Sequence, residues 1–423
     1  MTDHPTPELD ATELDRHIAS LPPLVDDPGY LVFADWLQSK GHPWGNLIVL
    51  MHRIAIEADP ARRDELQREV DRLLDDRGTA VVGELANDNN SRFTWHLGFI
   101  RNATVGTTAT PEAIVAGLKT LLDQPAARMA DGVILHPLIE QFATHRDWDS
   151  SEENLVDPWP ALDELAKLIP ERVVHLGFGG WPAPAATAYV KMPSFTALSG
   201  AFPRLRRLEL TGWCDGRSGR LQLPELVDLE VRFAAATIGA LGVLTASELP
   251  KLERLSVWLG GSSRCILDDV YGPDEDAEEA EDRYPTSYSG RDLELMETHG
   301  VDSEVLVGPL RTFLEGIPAT VQHLALRSVV LGAPLCEAIV RSPVIARLRT
   351  LDLSGGTLDD NVARVLVETK GLLAHLDTIH LDRNQLTERG VKQLTAELPN
   401  VRVGEQSKTG TPEFFFRYVA TME

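Results

Sequence analysis

The sequence predicts an α/β solenoid: a parallel sheet on the concave side, helices outside, and a helical cap region at the N-terminus. Three observations lead there. The pattern apolar-x-x-apolar-x-apolar recurs in LRRLEL (205–210), LVDLEV (226–231), LERLSV (252–257), VQHLAL (321–326), LRTLDL (348–353) and LDTIHL (376–381). Leu324, Leu351 and Ile379 follow one another at 27 and 28 residues, enough chain for a strand, a turn and a helix. Between them apolar residues recur at helical spacing, as Val362, Val365, Leu366 and Leu372 do. No such unit buries its apolar face alone; stacking unit on unit does.

In chain order, LVFADWLQSK (31–40) reads as an amphipathic helix with Leu31, Ala34, Trp36 and Leu37 broadly on one face, stopped at Gly41. Pro43 sits just inside a second helix that runs to about Asp59-Pro60, so the pair is a helical hairpin. A charged amphipathic helix follows over 61–78, with Leu66, Val70, Leu73 and Leu74 as its stripe. Trp95 and residues 98–105 predict a short strand. Residues 131–138 and 173–178 are strand candidates of weaker repeat character, and the Pro- and Gly-rich stretch that begins at Gly179 does not fit a regular helix. The 69 residues from Leu255 to Leu324 exceed two repeats, which predicts an insertion near 264–300; it contains DEDAEEAED, a solvated acidic loop by composition. FFFRY (414–418) is expected to cap the last rung. The expected domains are a helical cap over 1–130, the solenoid over 131–404, and a C-terminal cap tail over 405–423.

Alternation in the strands sends Leu351 and Leu353 inward and Thr350, Asp352 and Ser354 outward. The units LRTLDLSGGTLDDNVARVLVETKGLLAH and LDTIHLDRNQLTERGVKQLTAELPN resemble the ribonuclease-inhibitor class of leucine-rich repeat. The resemblance implies that Asn384 bonds the turn backbone, a position Gly356 holds in the neighbouring unit. LVFADWLQSKGHPWGNLIVL (31–50) in turn resembles the repeat-companion domain that precedes leucine-rich repeats in bacterial paralogue families, with His42 and Trp44 departing from its pattern. What these resemblances imply is a bacterial interaction scaffold without an attached activity.

Composition limits the partners. Sixty-four acidic against 40 basic residues give a formal charge of −24, which disfavours nucleic acid and anionic membrane and favours, if anything, a basic protein partner. The three cysteines, Cys214, Cys265 and Cys336, are widely spaced, so neither a disulfide framework nor a metal site is written and a reducing compartment is expected. No basic-then-apolar leader and no long apolar run occur in the sequence, and the expectation is a cytoplasmic protein. No cofactor and no metal are expected.

If function lies on the concave sheet, the outward residues name the site: Glu209, Thr211, Trp213, Glu230, Arg232, Trp258, Arg327, Asp352, His380 and Asp382. Trp258, Arg232 and Arg327 are its anchors, because rigid rings and planar guanidiniums lose little entropy on contact. The expected function is a non-catalytic protein–protein interaction scaffold. One alternative is an immunity or inhibitor-type protein that masks a basic toxin or enzyme. Another is an enzyme with chemistry in the N-terminal domain, at Asp35, or at Cys265, whose thiolate the neighbouring acids disfavour. His42 and His52 lack ligand spacing, and GFGG (177–180) lacks a phosphate-loop lysine and reads as a turn.

Overall fold

The computed structural model describes residues 9–22, 28–87, 91–108, 110–138, 157, 159–169, 171–179, 191–212, 214, 219–233, 238–258, 303–327, 332–356 and 358–406. The acidic insertion, Cys265, Trp213, Gly180 and FFFRY lie outside these residues. The chain divides into two compact units, 1–138 with 167–177, and 139–166 with 178–423.

The first unit opens with helices α1 (Ala11–Ala19), α2 (Gly29–Ser39), α3 (Pro43–Ile56), α4 (Pro60–Arg77) and α5 (Thr79–Val82). Their starts are chemically marked. Asp10 accepts from the Glu13 amide at 2.8 Å, Asp59 accepts from the Ala61 amide at 3.1 Å, and Pro43 and Pro60 occupy first-turn positions where no N–H is needed. The buried face of α2 is Tyr30, Phe33, Ala34 and Leu37. This corrects the expected face: Leu31 and Trp36 are only half-buried, because the i, i+3, i+4, i+7 stripe is set by Tyr30 rather than Leu31.

Strands β1 (Arg92–His96) and β2 (Phe99–Thr108) form an antiparallel hairpin, β3 (Gly132–Leu138) pairs parallel to β2 after helix α6 (Pro111–Leu122), and β4 (His175–Phe178) follows β3 after helix α7 (Trp159–Leu168). The hairpin turn uses Leu97 at φ 48° and Gly98 at φ 80°. A side chain on Gly98 would meet Ile48 Cγ1 at 2.4 Å, so both backbone conformation and space require glycine. The Gly98 carbonyl accepts from Trp44 Nε1 at 2.6 Å, and Trp44 lies edge-on to Phe33 and Phe99 at centroid distances of 5.2 and 5.0 Å. The Trp-rich segment of 31–54 is thus the aromatic core of this unit.

The second unit is built of rungs. Helix α8 (Phe195–Ala201) precedes β5 (Arg207–Gly212) and β6 (Asp228–Phe233); α9 (Ile238–Thr245) precedes β7 (Arg254–Trp258); α10 (Ser303–Gly316) precedes β8 (His323–Arg327). Then come α11 (Gly332–Arg341), β9 (Thr350–Asp352), α12 (Asp360–Glu368), α13 (Lys370–Leu373), β10 (Thr378–His380), α14 (Glu388–Glu397) and β11 (Val401–Arg402). Strand order follows chain order and neighbours are parallel. Leu208, Leu229, Leu255, Leu324, Leu351, Ile379 and Val401 are register partners in succession, all buried. This is the leucine ladder of a repeat solenoid, and the leucine-rich-repeat architecture follows from it.

One helical expectation fails. Leu372 is 48% exposed and Leu373 is fully buried instead. Thr369 interrupts the helix between α12 and α13; its hydroxyl donates to the Val365 carbonyl at 2.7 Å, and the chain resumes with Leu373 turned inward.

Candidate functional site: the helix-free face of the sheet

The buried ladder fixes the phase of every strand, so alternate residues form transverse rows on the opposite face. One row runs Glu209, Glu230, Ser256, Ala325, Asp352, His380 and Arg402. The next runs Thr211, Arg232, Trp258 and Arg327. Thr211 is buried at 8% exposure, beneath a close approach of Gly179, and Trp213 is outside the described residues.

Trp258 is the centre of this face. Register places Arg232 and Arg327 on the two flanking strands, and their guanidinium carbons lie 4.8 and 5.1 Å from the indole centroid. Each arginine is itself held. Glu230 Oε1 accepts from Arg232 Nε at 2.7 Å and from Trp258 Nε1 at 3.1 Å. Asp352 Oδ2 accepts from Arg327 Nε at 2.9 Å and Nη2 at 2.7 Å, while its Oδ1 accepts from the Ser354 amide at 2.9 Å and from the Ser354 hydroxyl. These six side chains, Ser354 included, form one network in which rotamers are fixed before any partner arrives. Further along, His380 Nδ1 is 3.7 Å from Asp382 Oδ2, and Asp382 Oδ1 accepts from the Gly404 amide.

A third row, nearer the strand starts, was not singled out from the sequence: Arg207, Asp228, Arg254 and His323. Arg254 Nε bonds Asp228 at 3.2 Å, and burial, then Arg254 and Arg349, hold the His323 imidazole below its usual pKa. Among the described residues the face presents Arg207, Arg232, Arg254, Arg327 and Arg402 against Glu209, Asp228, Glu230, Asp352 and Asp382, a balanced set. Adjacent residues reveal the signal that finds this row: any position two before an outward residue shares its face.

The residues considered for chemistry lie elsewhere. Asp35 is exposed on α2, and His42 is buried, its Nδ1 accepting from the Trp44 amide at 3.3 Å as the N-cap of α3. Cys336 is buried, and burial, then Glu337, push its thiol up to about 12. Cys214 is buried and in no disulfide. Among the described residues no cluster of His, Cys, Asp and Glu is arranged to hold a metal ion, and no helix is long and apolar enough to cross a membrane.

No protein-family model matches the chain, and no curated protein matches it. Among solved structures, it is similar to a protein from Bacteroides fragilis, with 16% identity, a TM-score of 0.49, and 82% of this chain and 85% of that one covered. It is also similar to TLR13 in its complex with ssRNA13 (14% identity, TM-score 0.26, 60% and 35% covered). An internalin from Listeria monocytogenes aligns at 13% identity and a TM-score of 0.22, covering 62% of this chain and 70% of that one. All three TM-scores are below 0.5, so the fold assignment rests on the strand register itself.

Proposed function

We propose that the protein is a non-catalytic interaction scaffold that grips a partner protein through the helix-free face of its repeats. The observation that supports this reading is the Arg232–Trp258–Arg327 cluster. Its rings and guanidiniums are the side-chain types that dominate binding energy, and Glu230 and Asp352 already hold them in place, so little conformational entropy is left to lose on association. Glu209, His380 and Asp382 form the polar rim. A cytoplasmic location agrees with the buried free thiols of Cys214 and Cys336.

Masking of a basic toxin or enzyme is the second reading, favoured by the formal charge of −24. The balanced charge of the sheet face speaks for the first, because a surface with equal numbers of either sign selects by shape and paired contacts rather than by net attraction. Capture of partners from the native cell on immobilised protein tests the proposal, with Trp258→Ala plus Arg327→Ala as the comparison. A partner retained by the wild type and lost with the double variant supports the sheet face. A partner retained equally by both places the binding surface elsewhere.

A further inference from the structure

We infer that the first unit holds a second, separate site: a cleft between α3, α4 and β1 that takes a small organic ammonium ion on an apolar body. The cleft has a volume of about 490 Å³, within the range of small-molecule sites and well beyond a single side chain. Leu74 and the half-buried Phe93 and Trp95 supply its apolar wall, the two rings lying edge to face at 6.0 Å. Gln67, Asp71 and His96 supply its polar groups. Counting histidine as neutral, Asp71 is the one formally charged side chain among the described residues lining the cleft, and the formal charge they give it is negative. Its Oδ1 accepts from Gln67 Nε2 at 2.8 Å, while the exposed carboxylate leaves Oδ2 for a ligand.

The ligand class follows from that combination. An aromatic face attracts a cation through its quadrupole, and a carboxylate at the rim of an apolar cleft adds a charge-assisted hydrogen bond. A neutral apolar molecule would use the rings and leave Asp71 unused; an anion would face it unfavourably. The neighbouring arginines of α4 turn Nε to the helix backbone: Arg68 Nε donates to the Asp64 carbonyl at 3.2 Å, and Arg72 Nε to the Arg68 carbonyl at 3.1 Å. The inference is independent of the sheet face, which belongs to the other unit.

Calorimetric titration of the full chain at pH 7.5 with 2-phenylethylammonium, and with the neutral isostere 2-phenylethanol, tests it. The expected result is saturable binding of the ammonium ion, at least about tenfold tighter than the alcohol, a difference of about 1.4 kcal/mol. Asp71→Asn should abolish the preference while leaving thermal unfolding unchanged, since the side chain is exposed on α4. Trp95→Leu should weaken the ammonium ion more than the alcohol. Equal affinity for the two compounds, a preference that survives Asp71→Asn, or no saturable binding of either would overturn the assignment.

Discussion

Asn384 shows at the residue scale how one polar side chain fixes a repeat. It is fully buried; its Oδ1 accepts from the amides of Gly356 and Leu358 at 3.1 and 3.3 Å, and its Nδ2 donates to the carbonyls of Leu353 and Leu381 at 2.9 and 3.1 Å. Asn384→Ala leaves several buried backbone groups unpaired, so a loss of about 2–4 kcal/mol is expected in chemical denaturation. His42 makes a pH-dependent contribution. Burial lowers its folded pKa below the ordinary histidine value of 6.5, so the imidazole stays neutral where the unfolded chain already takes a proton. Its contribution to stability is therefore complete above about pH 6.5 and is lost as pH falls through the folded pKa. His42→Asn keeps a capping acceptor without that titration, and its thermal unfolding should fall less steeply than the wild type's between pH 7.5 and 5.5.

Between elements, two rungs of the stack are tied by residues placed four before a ladder position. Arg347 Nη2 donates to the carbonyls of Ile317 and Pro318 at 2.8 and 3.2 Å, and His375 Nε2 lies 2.9 Å from the Ile345 carbonyl, each about a repeat upstream. In the first unit Arg172 does the same, donating to Arg128 and Ala127 carbonyls at 2.6 and 3.2 Å. These bonds close the carbonyl ends of the preceding turn. They were not legible in the sequence, because the position is held by Arg172, His375 and Arg347 rather than by one residue type, and the backbone carbonyls they meet carry no side-chain signature. The ladder was legible, since Leu324, Leu351 and Ile379 repeat one local pattern that parallel register preserves. Helix phase was less so: nothing in KGLLAH separates Leu372 from Leu373 without the break at Thr369. Accordingly Leu373→Ala should cost about 2–5 kcal/mol and Leu372→Ala less than about 0.5 kcal/mol by denaturant titration.

For the whole molecule, alternation made the outward rows readable, and with them Trp258, Arg232 and Arg327. Their mutual stacking was not readable, because it depends on which residues cross-strand register sets side by side. The same register sets equal numbers of acidic and basic side chains on the described sheet face, in a chain whose acidic surplus gives a formal charge of −24. Binding through this face and attraction by the surplus differ kinetically: long-range attraction between unlike net charges is screened by salt, and short-range contacts around a buried anchor are not. The most direct measurement is the association and dissociation of the captured partner on immobilised protein, wild type and Trp258→Ala, between about 20 mM and about 500 mM salt. If the sheet face is the binding surface, association should slow by less than about threefold with salt, and Trp258→Ala should speed dissociation by at least about tenfold. Association that slows by about a hundredfold with salt, together with dissociation indifferent to Trp258→Ala, would contradict it.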